Sequence, residues 1–69
     1  MNIKTINHPL NNFGYAIYRG PENEGLRRGD VVELVTSVYQ RGRQRFIEGV
    51  FKNFRYFDLK PSQLKGINQ

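Results

Sequence analysis

A chain of 69 residues without cysteine and with a formal net charge of +5 has room for one domain with a thin core, and for neither a disulfide framework nor a thiolate metal site. With 38% hydrophobic and 13% aromatic residues it is too apolar for an ordinary disordered tail, so a folded unit is expected. No apolar run approaches a membrane span of about 18 residues, and residues 1–7 lack the long apolar stretch of a secretory signal, which points to a soluble, cytoplasmic protein.

Residues 1–12 are polar and asparagine-rich, with isolated apolar positions at Ile3, Ile6 and Leu10, and read as an N-terminal arm or a short edge strand. His8-Pro9 favours an extended or turning backbone. The single histidine makes neither a metal site of the usual kind nor a catalytic centre by itself.

The first strand is predicted over residues 13–19, with Phe13, Tyr15 and Ile17 on one face and Gly14, Ala16 and Tyr18 on the other. Gly14 and Ala16 leave room for a close neighbour. Tyr18 is read as packing on a nearby loop, against the alternative of a stacking platform. Residues 20–29 hold three glycines and a proline without periodicity, the pattern of a mobile, solvated loop in which Glu22 and Glu24 offset Arg27 and Arg28.

A strand follows over residues 31–38, with Val32, Leu34, Thr36 and Val38 facing the core. The next stretch, Tyr39-Gln40-Arg41-Gly42-Arg43-Gln44-Arg45, reads as a hairpin loop with a glycine among three arginines, a mobile positive projection. Residues 45–52 form the next strand, with Ile47, Gly49 and Phe51 inward and a bulge or bend expected at Gly49. A turn at Asn53 leads to a strand over residues 54–60, with Phe57 and Leu59 inward and Phe54 and Tyr56 outward. Pro61-Ser62-Gln63-Leu64 reads as a single tight helical turn before a last short strand at Lys65-Gly66-Ile67.

This order of elements resembles an SH3-like barrel. A long loop precedes Arg28-Gly29-Asp30-Val31-Val32, two further strands follow a hairpin, and a proline-serine turn precedes the closing strand. The resemblance covers residues 13–67 and implies an all-β, five-stranded barrel with one short helical turn before the last strand. Gly29-Asp30-Val31-Val32 and Glu48-Gly49-Val50-Phe51 are similar to the opening and closing of the KOW motif of ribosomal proteins and transcription elongation factors, which implies RNA or the transcription and translation machinery as a partner. An Sm-like barrel ranks lower because it begins with a helix. Peptide-binding SH3 domains are a poorer match than the KOW motif, since the chain has no tryptophan and no acidic cluster on the hairpin. Small size and basic character also resemble the accessory proteins of bacteriophages.

Between residues 39 and 56 five cations (Arg41, Arg43, Arg45, Lys52, Arg55) face one acid (Glu48). Arginine forks suit phosphates, and Phe54 and Tyr56 beside them suit stacking on bases. The expected function is therefore non-catalytic nucleic-acid binding, to RNA or DNA, through Arg41, Arg43, Arg45, Lys52, Phe54, Arg55 and Tyr56. The alternative is a protein-docking module, such as a phage-encoded modulator of an acidic host protein. One histidine, no cysteine and no glycine-rich phosphate loop before a helix argue against an enzyme. No cofactor is expected, and the oligomeric state is expected to be a monomer or a small homo-oligomer.

Overall fold

The computed structural model describes residues 3–52 and 54–67. Alternating β-branched and aromatic residues form strands β1 (Ile3–Thr5), β2 (Tyr15–Tyr18), β3 (Val31–Leu34), β4 (Tyr39–Arg41), β5 (Gln44–Phe51), β6 (Arg55–Leu59) and β7 (Leu64–Ile67). Single 3₁₀ turns at Pro9–Asn12 and Pro61–Gln63 complete the regular structure, and both open on proline, whose fixed φ suits a first helical position. Among the described residues no helix is long and apolar enough to cross a membrane.

The strands form one antiparallel sheet in the order β1-β4-β5-β3-β2-β7, with β6 on the remaining edge of β5. β5 makes the sheet curl. Its first three residues pair with β4, whereas Gly49 and Val50 pair with β3 on one side and β6 on the other. One long, twisted strand shared among three partners bends the sheet into a half-barrel.

The all-β expectation holds, but there are seven strands where five were expected, for two reasons. Part of the expected arm pairs along β4 as β1, with Ile3 opposite Arg41 and Thr5 opposite Tyr39. Tyr39–Arg41, expected in the hairpin loop, forms β4, and the strand expected over residues 31–38 is broken after Leu34. Leu34 lies opposite Gly49 and Tyr39 opposite Phe46, so five steps along one strand answer three along β5, and two residues are extruded. Thr36 is therefore exposed rather than in the core. Its hydroxyl accepts the Glu48 amide at 3.0 Å, filling a place in the ladder that the break leaves open.

The core contains the inward residues expected of the strands, Val32, Val38, Ile47, Phe57 and Leu59, together with Ala16 and Tyr18. Tyr18 packs as expected, at 2% exposure, and its hydroxyl donates to the Pro21 carbonyl at 2.5 Å. Phe51, expected inside, is only half-buried. Gly49 makes no bulge, since the β5–β6 register runs unbroken from Ile47–Leu59 to Phe51–Arg55. Instead a Cβ at Gly49 would lie 3.2 Å from Leu59 and 3.4 Å from Val32, so glycine lets these two side chains pack closely against the strand.

Three core residues come from outside the predicted strands, among them Leu64 from the end of the expected helical turn. Leu10 is buried from the first 3₁₀ turn, and Leu26 is fully buried from the loop between β2 and β3. That loop is pinned where mobility was expected: Asn23 and Leu26 exchange two backbone hydrogen bonds at 2.9 Å, and Gly29 donates to Tyr18 at 2.7 Å. The Asp30 carboxylate accepts the Arg27 amide at 2.8 Å.

Candidate nucleic-acid interface

The stretch read as a seven-residue basic loop is mostly strand. Arg41 pairs with Gln44, which leaves Gly42 and Arg43 as the two-residue turn. Gly42 has φ +63° and Arg43 is not among the residues with positive φ, the pattern of a type II′ turn, whose first central position calls for glycine. The Gln40 amide donates to the Gly42 carbonyl at 2.9 Å and steadies the tip.

Strand alternation then separates the arginines. Arg45 lies opposite Gln40 and shares the face of Ile47, while Arg41 lies on the other face with Tyr39 and Phe46. The Arg41 guanidinium sits 5.9 Å from the Tyr39 ring centre, and the Tyr39 and Phe46 rings lie 5.9 Å apart. The Tyr39 hydroxyl donates to Asp58 at 3.0 Å. Burial, and secondly this bond to Asp58, raise the Tyr39 pKa above 10.0.

Arg43 and Arg45 instead line an open cleft of about 420 Å³ with His8, Gln44, Lys60, Pro61 and Ser62. His8, just before the first 3₁₀ turn, and the second 3₁₀ turn with Lys60 form its other walls. His8 caps the first turn, its Nδ1 accepting the Leu10 amide at 3.1 Å. The neutral ring therefore carries its proton on Nε2, which remains a donor. Lys60 immediately precedes the second turn and Ser62 lies within it. Among the described residues no acid lines the cleft, and the ion pair found among them, Arg55 with Glu24 at 3.9 Å, involves none of its cations.

The remaining candidates lie elsewhere. Lys52 sits 5.3 Å from the Phe51 ring centre and Arg55 sits 5.4 Å from that of Phe57. Phe54 is 83% exposed with φ +59°, and Tyr56 is exposed on the outer face opposite Val50. These four follow the far end of β5. Seven strand steps, roughly 23 Å, separate Gln44 from Phe51, so the aromatic residues do not stand beside the basic hairpin as expected. Of the seven candidates only Arg43 and Arg45 enter the cleft. His8, Lys60 and Ser62 were not among the candidates; their proline neighbours mark the two turns, but nothing local shows that both turns flank one hairpin.

Among the described residues no group of three or more histidine or acidic side chains is placed to hold a metal ion. Comparison of the chain with protein-family models, curated proteins and solved structures finds no match.

Proposed function

We propose that this chain is a non-catalytic nucleic-acid-binding protein on an SH3-like barrel, seating phosphates of RNA or DNA in the cleft between the β4–β5 hairpin and the two 3₁₀ turns. The observation that carries this reading is that Arg43, Arg45 and Lys60 line one cleft with no acid among its described walls. Placing three cations together without counter-charge is electrostatically unfavourable, and a polyanion relieves it. His8 Nε2–H and the Ser62 hydroxyl add neutral donors. Among the described residues no Phe or Tyr ring lines the cleft, so contacts are mainly to the backbone and binding is tolerant of sequence. The barrel reading is supported by the neighbour order β7-β2-β3-β5-β6 and by the 3₁₀ turn between β6 and β7.

The test is a fluorescence-anisotropy titration with single-stranded RNA, single-stranded DNA and duplex DNA across salt concentrations. Binding should weaken with salt with a log–log slope of about 2–3, as expected for three phosphate contacts. The triple variant Arg43→Ala/Arg45→Ala/Lys60→Ala should lose about tenfold or more in affinity and most of that slope. The control Arg41→Ala/Lys52→Ala should bind nearly as the parent does. Absence of binding at low salt, or equal loss in both variants, would overturn the proposal.

A further inference from the structure

The outer face of the sheet is exposed at Val31, Glu33, Val35 and Tyr56 and partly buried at Tyr15, Val50 and Ile67. Register places Ile67, Tyr15, Glu33, Val50 and Tyr56 side by side across five strands. Tyr56 is 61% exposed, and Val31 and Val35, at 44% and 41% exposure, extend the apolar surface. A row of rings and aliphatic groups this wide on an open sheet is unusual for a solvated face.

Charge identifies what covers it. Glu48 lies directly opposite Asp58, and Glu33 lies in the neighbouring row. Like charges placed directly across a sheet are destabilising, and none of these carboxylates joins an ion pair among the described residues. Asp58 has the Tyr39 hydroxyl as a neutral partner. The cations on this face, Arg41 and Lys65, lie in outer rows of the strand register, beyond the rows of Glu33 and of Glu48 and Asp58. Carboxylates at the centre repel nucleic acid, and a second copy whose two-fold axis passes through that centre would set Glu48 and Asp58 against like charge.

We infer that this face docks a basic segment of another protein, whose cations meet Glu33, Glu48 and Asp58 while its apolar side chains cover Tyr15, Val50 and Tyr56. The chain then carries a polyanion on one side and a polycationic protein segment on the other. The two contacts use different residues, since none of Tyr15, Glu33, Glu48, Val50, Tyr56 and Asp58 is among those that line the cleft.

The experiment is a titration of the ¹⁵N-labelled full chain with a synthetic peptide of alternating lysine and leucine, followed by amide shifts, with a glutamate-leucine peptide of equal length beside it. The lysine peptide should shift the amides of Tyr15, Glu33, Val50 and Tyr56, and the glutamate peptide should not. Glu48→Gln/Asp58→Asn, which removes a like-charge pair and keeps the acceptor for Tyr39, should fold normally and bind the lysine peptide about tenfold more weakly. Arg43→Ala/Arg45→Ala should bind it unchanged. Equal shifts with both peptides, or none with either, would overturn the inference. So would sedimentation showing self-association that the Glu48→Gln/Asp58→Asn variant abolishes, which would assign the face to the basic tip of another copy.

Discussion

Leu26 shows how much one side chain can contribute in a chain this short. It is fully buried although it lies in a loop with three glycines nearby, while Phe51, larger and on a strand, is half-exposed. The cost of truncation follows burial rather than residue size. Leu26→Ala should lose about 2–5 kcal/mol and leave the domain close to unfolded. Phe51→Ala should lose about 1–2 kcal/mol, in keeping with partial burial. Urea denaturation followed by circular dichroism ranks the two, and the reverse order would mean that the loop does not close the core. Phe54 carries a different cost: an aromatic residue left exposed in a left-handed backbone conformation is both strained and poorly solvated. Nothing in the cleft or on the outer face explains it.

Among the elements, the break between β3 and β4 has the widest consequences. Extruding two residues keeps Val38 on the core face, because an even shift preserves side-chain parity, and it carries the hairpin out past the core. The basic tip therefore projects beside the two 3₁₀ turns instead of lying over the sheet. At the opposite side the closing pair, β2 with β7, depends on a missing side chain. Gly66 lies opposite Ala16, and a Cβ there would collide with the Phe13 ring. Gly66→Ala should cost about 1–3 kcal/mol through overpacking, read as a lower thermal midpoint. A variant as stable as the parent would show that Phe13 moves aside freely. The same paragraph of sequence that made the strands legible hid this contact, since period-two patterning says which face a residue occupies and nothing of what stands above it.

Across the whole molecule charge is sorted rather than mixed. Arg43, Arg45 and Lys60 gather at the cleft, three of the chain's six acids lie on the outer face, and the net charge is +5. With little internal pairing, repulsion among cations opposes folding and salt screens it. Raising sodium chloride from about 0.05 to 0.5 M, which shortens the screening length severalfold, should therefore raise the urea midpoint. A midpoint that falls with salt would mean that attractive pairs outweigh the repulsion.

The sequence by itself determined that the chain is all-β, that Val32, Val38, Ile47, Phe57 and Leu59 point inward, and that Pro61 opens a 3₁₀ turn, because each of these follows from alternation or from proline's fixed φ over a few neighbouring residues. It also marked the basic hairpin, since a glycine among arginines between two strand patterns is a local feature. Only the tertiary structure decided that Leu10 and Leu26 complete the core, that Arg41 leaves the other two arginines, and that His8, Lys60 and Ser62 join them. It also placed Phe54 and Tyr56 away from the hairpin. Those outcomes depend on how β5 distributes its length among three partners, and that is fixed by packing between segments far apart in the chain.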